Sequence, residues 1–178
     1  MAFKEKSRTQ IYMGKAFNVE QVEMELPDGS SKVYDLVDHP NAVTILPVDD
    51  KQNVYFVRQF RLGSDTELLE LPAGVLNDDE DPGEAALREL REETGMAGTL
   101  TLIGTYYLAP GYSNEKMFAY LATDLYTAPL SQDADEFLQL VKIRADKVYE
   151  MALSNQIHDS KTLSALLLAK SSIFGESM

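Results

Sequence analysis

The sequence predicts an α/β fold, an α/β/α sandwich around a mixed sheet with a small β subdomain at its N-terminus. Short runs of β-branched and aromatic residues recur from residue 42 onward, and a segment with helical spacing interrupts them at 82–94. A chain of 178 residues is long enough to bury one substantial core. We therefore expect an N-terminal β leader over residues 1–40 and one main domain over residues 41–178.

The leader is predicted to contain a β-hairpin. Residues 22–26 (VEMEL) alternate between apolar and charged side chains, residues 27–30 (PDGS) have a turn composition, and an extended run resumes at 33–37. A hairpin of this size is only marginally stable alone. We therefore expect the leader to pack at a two-fold interface, so that the protein is a homodimer.

The main domain is predicted to contain six strands and three helices. The strands are AVTILPV at 42–48, VYFVRQF at 54–60, ELLEL at 67–71, TLTLIGTYYL at 99–108, MFAYLAT at 117–123 and FLQLVKI at 137–143. Two helices follow the last strand, one over 146–155 and one that Asp159 caps. Their predicted buried residues are Val148, Met151, Ala152 and Leu153 in the first and Leu163, Leu166, Leu167 and Ile173 in the second.

Composition excludes several classes of partner. The net charge of −13 argues against nucleic acid and anionic membranes, because both bind basic surfaces. No run of residues is apolar and long enough for a signal peptide or a membrane span. Cysteine is absent, which rules out disulfides and thiolate metal sites and favours a cytoplasmic location.

The helix over 82–94 has clear end signals and an unusual charge pattern. Asp81 is the expected N-cap, Pro82 suits the first helical position, and Gly95 provides a left-handed stop. Glu89, Glu92 and Glu93 fall within a little over one turn, where like charges destabilise a helix. We expect them to lie opposite the buried stripe of the helix and to hold a hard cation such as Mg²⁺ beside phosphates.

Together with the loop before it, this helix carries a motif of fixed spacing. The chain reads G-x5-E-x7-R-E-U-x-E-E-x-G-U, where U is a bulky aliphatic residue, from Gly74 through Glu80 and Arg88 to Met96. The motif resembles the signature of the Nudix hydrolases. The resemblance implies a Nudix-type sandwich, Mg²⁺ or alternatively Mn²⁺ as cofactor, and two or three bound ions.

The same resemblance implies roles for individual residues. Glu89 and Glu93 would bind the metal, and Glu92 would be a further ligand or the catalytic base. The carbonyl of Ala73 would be an additional ligand, and Arg88 would pair with a glutamate of the helix and fix it. Glu80 has two readings, a charge favoured by the helix N-terminus or a residue that supports the ligands.

Three further segments resemble the ADP-ribose pyrophosphatase branch of this family. They are VRQFR followed by ELLELPAG, YYLAPGYSNE, and the acidic segment DADEF, with IHDSKT near the C-terminus also fitting. By that likeness Arg61 would contact the diphosphate, with Arg58 close by. Glu70 and the loop 110–115 would line the nucleoside and ribose pockets; the loop residues singled out are Pro110, Ser113 and Glu115. Arg58 and Arg61 also have an ordinary interpretation, as strand-end cations that face solvent.

The acidic segment departs from the pattern of the branch at one position. Related sequences often read DEDE where this chain has Asp133-Ala134-Asp135-Glu136. Glu136 keeps the position of a catalytic carboxylate or metal ligand, but Ala134 removes another acid. The residue that activates water is therefore either Glu136 or Glu92.

The resemblance implies an enzyme that hydrolyses nucleoside diphosphate sugars, with ADP-ribose favoured and AMP and ribose 5-phosphate as products. An alternative is another Nudix specificity, such as GDP-mannose. A non-catalytic sensor of nucleotide sugars on the same fold is the second alternative. Such a sensor is expected to lose glutamates from the motif, whereas this chain retains all of them.

Overall fold

A computed structural model describes residues 2–131 and 137–175 of the chain. The strands are β1 (Lys4–Met13), β2 (Asn18–Glu25), β3 (Ser31–Asp38), β4 (Ala42–Pro47), β5 (Asn53–Arg61), β6 (Thr66–Glu70), β7 (Ala73–Val75), β8 (Met96–Tyr107), β9 (Lys116–Thr127) and β10 (Gln139–Arg144). The helices are α1 (Pro82–Thr94), α2 (Ala145–Leu153) and α3 (Ser160–Phe174). Within the described ranges, no helix is both long and apolar enough to cross a membrane.

The first of two compact units contains the leader, through residue 41, and residues 107–116. Its sheet has the antiparallel order β1-β2-β3. The predicted hairpin is the β2–β3 pair, in which Val22 lies opposite Tyr34. Strand β1 was not predicted, because its polar sequence KEKSRTQ lacks the apolar alternation by which strands are recognised.

The second unit contains residues 42–106 and the chain from residue 117 onward. One of its sheets has the order β10-β5-β6, and the other has the order β7-β4-β9-β8. Strand β4 is antiparallel to β7 but parallel to β9, so the predicted mixed sheet is present. An antiparallel bridge between Val48 and Val54 links the end of β4 to the start of β5.

Strand β4 is buried along its whole length because helices pack on both of its faces. Val43 and Ile45 belong to a core cluster with Ala86 and Leu90 of α1. Leu46 points the other way, as alternation along a strand requires, and joins a second cluster with residues of α2 and α3. Helices therefore cover both sides of the sheet, and the predicted α/β/α sandwich is confirmed.

The predicted ends of α1 are also confirmed. The Asp81 side chain accepts hydrogen bonds from the backbone N–H groups of Gly83 and Glu84, and Gly95 adopts a left-handed conformation with φ of 72°. Asp159 caps α3 in the same way, by accepting from the backbone N–H of Thr162.

Three predictions of side-chain orientation are wrong. Glu89 and Glu93 lie on the buried face of α1, among its apolar residues, because the i, i+3, i+4, i+7 spacing from Ala86 includes both glutamates. Leu153, predicted to be buried, is 90% exposed at the last position of α2. Leu167 is 75% exposed because α3 instead buries its small residues, Ala165 and Ala169, together with Leu166.

Candidate active site

The centre of the candidate site is the contact between α1 and residues 71–75, a segment that includes the short strand β7 and is here called the glycine loop. The side chains of Glu89 and Glu93 are buried there, with residue exposures of 7% and 3%. Glu93 Oε2 accepts a hydrogen bond from the backbone N–H of Ala73 at 3.2 Å. The Glu89 carboxylate occupies the space that a side chain at Gly74 would fill. The glycine of the motif is therefore needed because a carboxylate lies directly against the loop.

Arg88 joins the acidic residues of the site. Its guanidinium donates to both carboxylate oxygens of Glu80 at 2.9 Å, to Glu89 at 2.6 Å and to Glu92 at 3.1 Å. It also donates to the backbone carbonyl of Val75 at 3.1 Å. The three glutamates hold the guanidinium in one orientation, and their charges make Arg88 the internal counter-ion of the site.

These contacts change the acidity of the groups involved. The hydrogen bonds from Arg88 lower the pKa of Glu80 to about 2, although burial opposes the change. The hydrogen bonds to Glu80 likewise raise the pKa of Arg88, against the opposing effect of burial. Glu80 is therefore a partner that anchors Arg88, and not merely a charge near the start of the helix.

The side chains around the loop are chemically suited to a hard divalent cation. They offer carboxylate oxygens, and such oxygens together with backbone carbonyls are the donors that Mg²⁺ uses in proteins. Two of the carboxylates, those of Glu89 and Glu93, are buried against residues 73 and 74, where the loop backbone is within reach. In residues 2–131 and 137–175, however, no three acidic or histidine side chains are grouped closely enough to hold an ion. Arg88 Nη1 donates to both Glu89 and Glu92.

A second ionic cluster lies at the ends of β5, β6 and the start of α3. Arg61 Nε and Nη2 donate to the two oxygens of Glu70 at 2.8 and 2.7 Å. Lys161 Nζ donates to the same carboxylate and also to Asp159 at 3.0 Å. Although its burial opposes ionisation, these two cations lower the pKa of Glu70. In this arrangement the Glu70 carboxylate is enclosed, since its side chain is 1% exposed.

The same end of α3 is bonded to the segment that leads into the site. Thr162 Oγ1 accepts a hydrogen bond from the backbone N–H of Leu71 at 2.9 Å and donates to Asp159 at 2.6 Å. Leu71 is two residues before Ala73. The N-terminal cap of α3 therefore fixes the start of the glycine loop.

The two arginines of β5 do not share a face of the strand. β5 pairs with β6 and β10 without a register shift, so side chains three positions apart point to opposite sides. Arg61 therefore lies on the side of Glu70, and Arg58 lies on the other side.

The predicted ribose loop lies in the first unit. Pro110 is exposed, while Ser113 is buried and its Oγ accepts from the backbone N–H of Glu115 at 3.2 Å. The Glu115 carboxylate lies 3.8 Å from His39 Nδ1. Ser113 also forms a bridge with Val37 of β3, so the loop is fixed to the leader sheet.

Glu136 and the other acids of the segment 133–136 lie outside the described residues. Lys161 and Thr162 were not assigned roles from the sequence, although the segment IHDSKT that contains them was noted. A lysine two positions after the predicted cap Asp159 is the signal that the sequence offers, but its partner Glu70 lies 91 positions earlier in the chain.

The mixed sheet, the helices on its two faces and the motif helix against a glycine loop define a domain of the Nudix type. The chain belongs to the Nudix family, since the NUDIX domain profile matches residues 38–165.

Individual relatives cover nearly the whole chain. An ADP-ribose pyrophosphatase of Bacillus subtilis (strain 168) is 34% identical over 163 residues, which are 90% of this chain and 88% of that protein. The ADP compounds hydrolase NudE of Escherichia coli (strain K12) is 30% identical over 169 residues, covering 93% and 90% of the two chains. A crystal structure of an ADP compounds hydrolase matches with a TM-score of 0.87 at 27% identity, over 98% of this chain and 96% of that one. The predicted family and the predicted class of enzyme, a Nudix hydrolase, are confirmed.

Proposed function

We propose that the protein hydrolyses the diphosphate bond of nucleoside diphosphate sugars with the help of Mg²⁺, and that ADP-ribose is the favoured substrate. The observation that carries the proposal is the pair of buried carboxylates, Glu89 and Glu93, held against residues 73 and 74. The names of the two relatives, an ADP-ribose pyrophosphatase and an ADP compounds hydrolase, support this class of substrate. The products from ADP-ribose are AMP and ribose 5-phosphate.

The residues that would hold the ions are Glu89, Glu92, Glu93 and the carbonyl of Ala73, with two or three ions of Mg²⁺, or alternatively Mn²⁺. When bound, the cation neutralises negative charge on the diphosphate. The chain itself supplies the rigid placement of these oxygens, because α1 is capped at both ends and bonded to the loop. Arg88 orients Glu89 and Glu92 through direct hydrogen bonds.

We further propose that Arg61 binds the diphosphate and that the loop of the first unit binds the ribose through Glu115. Arg61 suits this role because its side chain is 41% exposed while its partner Glu70 is buried. The remaining predicted substrate residues are Arg58, Glu70, Pro110 and Ser113. Water is activated by Glu136 or by Glu92, and both assignments satisfy the need for a carboxylate base.

A substrate panel tests this function. Purified protein with Mg²⁺ is incubated with ADP-ribose, GDP-mannose, ATP and diadenosine polyphosphates, and the nucleotide products are separated and quantified by anion-exchange chromatography. The proposal expects the highest kcat/KM for ADP-ribose. GDP-mannose is the second candidate, because a GDP-mannose pyrophosphatase of Enterobacter sp. (strain 638) is 32% identical over 140 residues. A clear preference for ATP would contradict the proposed class of substrate.

We also propose that the protein is a homodimer and that the leader contributes to the interface. The outer strand β1 exposes three consecutive large apolar side chains, Ile11, Tyr12 and Met13, at 57%, 56% and 74%. Light scattering should report a dimer for the wild type and a monomer for I11E. L153E places a glutamate at an apolar residue of α2 that is 90% exposed, and this variant should remain dimeric.

The absence of cysteine supports a cytoplasmic location.

A further inference from the structure

The feature of the second unit that the proposed function does not use is a lysine enclosed at the start of α3. Lys161 is 8% exposed, and its ammonium group donates to Glu70 and to Asp159. A buried lysine is costly unless its charge is compensated, and here two carboxylates compensate it.

Glu70 connects this lysine to Arg61. One oxygen of the Glu70 carboxylate accepts from Arg61 Nε, whereas the other accepts from both Arg61 Nη2 and Lys161 Nζ. The paired donation from Arg61 is the planar, two-point geometry that fixes a guanidinium in orientation. A rotation of the Glu70 carboxylate would therefore turn the guanidinium with it.

Arg61 is the member of the cluster that reaches solvent. Its side chain is 41% exposed, against 1% for Glu70 and 11% for Lys161. The hydrogen bond to Glu70 raises the pKa of Arg61, burial opposes this, and the charges of Asp159 and Glu93 add to the increase.

We propose that Lys161 is a positioning residue: it fixes the carboxylate of Glu70 and thereby holds the Arg61 guanidinium in the orientation that binds the substrate diphosphate. Lys161 does not itself touch the substrate. Lys161 also donates to Asp159, the N-cap of α3, so the cap belongs to the same network of ionic interactions. The inference rests on the proposed function, because it takes the diphosphate as the group that Arg61 binds.

A double-mutant cycle between Lys161 and Arg61 tests the proposal. The variants are K161M, R61K and K161M/R61K, measured for kcat and KM with ADP-ribose and Mg²⁺ and for the Kd of ADP-ribose in EDTA. K161M should raise KM and Kd about tenfold, the order expected for one charge-assisted hydrogen bond, with a smaller change in kcat. In the R61K background the same substitution should change Kd by less than about twofold. The planar guanidinium that Glu70 orients is absent from that variant, so Lys161 has nothing to position.

The control is K147M, which removes an exposed lysine paired with Glu150 on α2 and should leave KM, Kd and kcat unchanged. Equal effects of K161M on Kd in the wild-type and R61K backgrounds would overturn the proposal, since packing alone would then explain them. The melting temperature of each variant is measured to check that it folds.

If K161M does not fold, E70Q and E70Q/K161M replace it. These two should bind ADP-ribose equally, and more weakly than the wild type, whereas binding by E70Q at the wild-type level would overturn the proposal.

The cycle also separates the two proposals. A wild-type protein that neither binds nor hydrolyses any nucleoside diphosphate sugar would contradict the proposed function and this inference together. If the wild type hydrolyses ADP-ribose and K161M has the same Kd and KM, only the role of Lys161 is contradicted.

Discussion

Glu93 accepts a hydrogen bond from the backbone N–H of Ala73, with 3.2 Å between its Oε2 and the nitrogen. This bond joins residues 20 positions apart and ties α1 to the loop after β6. The Glu89 carboxylate lies beside it, against Gly74. The loop and the carboxylates therefore define each other's positions, and a change in either one should disturb the site without unfolding the domain.

A methyl group at Gly74 should disable the site. Gly74 has a negative φ, so alanine is allowed by the backbone, but its Cβ would collide with the flexible end of Glu89. G74A should therefore fold and yet lower kcat/KM at least about a hundredfold, because the carboxylate is displaced. G63A is the control, since its Cβ would meet no atom within 4 Å, and its activity should match the wild type. Full activity of G74A would show that the position of Glu89 is unimportant.

Removing Arg88 should destabilise the fold as well as the site. R88Q leaves Glu80, Glu89 and Glu92 without their shared cation, and we expect the free energy of unfolding to fall by about 2–4 kcal/mol. Urea denaturation measures the change. R144Q removes a cation whose ion pair with Asp146 is more than 60% exposed, and its effect should stay within about 0.5 kcal/mol. An R88Q protein as stable as R144Q would contradict the role of Arg88 as counter-ion.

The pair of Glu80 and Arg88 should give stability a specific pH dependence. Arg88 lowers the pKa of Glu80 from 4.5 to about 2, so the contribution of the pair is complete above the unfolded value and is lost as pH falls through that interval. The difference in unfolding free energy between wild type and E80Q should be constant above about pH 5 and shrink towards pH 2. E150Q, at an exposed pair, should show little difference at any pH. A constant difference between wild type and E80Q down to pH 2 would refute the assignment.

The spacing of the motif was sufficient to predict α1, both of its ends and the set of acidic residues on it. Caps and i, i+4 neighbours are local, so the sequence displays them directly. The same local reasoning was misleading about orientation. The carboxylates are predicted opposite the buried stripe of α1, whereas Glu89 and Glu93 lie on its buried face and Arg88 provides a cation within the chain.

Contacts between distant parts of the sequence could not be predicted. Lys161 and Glu70 are 91 positions apart, and Asn114 donates to Asp38 across 76 positions. Periodicity and turn signals describe neighbours along the chain and contain no information on such pairs. The ionic cluster of Arg61 and the attachment of the loop 107–116 to the leader sheet therefore became visible only in the folded structure.

Substitutions in the acidic segment 133–136 test the identity of the catalytic base. If Glu136 activates water, E136Q should lower kcat by about a hundredfold or more while KM changes little, because the group acts in the transition state. D133N should have a small effect, because the family resemblance places the catalytic carboxylate at Glu136. Near wild-type kcat for E136Q would leave Glu92 as the base.

Hydrolysis of ADP-ribose by the wild type and by E93Q, each with Mg²⁺, tests the central claim most directly. Glutamine keeps an oxygen to accept from the Ala73 N–H, so E93Q should fold normally, with a melting temperature unchanged or slightly raised in EDTA. Its kcat should fall at least about a hundredfold, and Mg²⁺ should raise the melting temperature of the wild type but not of E93Q. E84Q, at an exposed position of the same helix, serves as the control and should retain activity. The wild type should form AMP and ribose 5-phosphate, and E93Q should form almost none. Equal product formation by the two would contradict the role of Glu93 in the metal site.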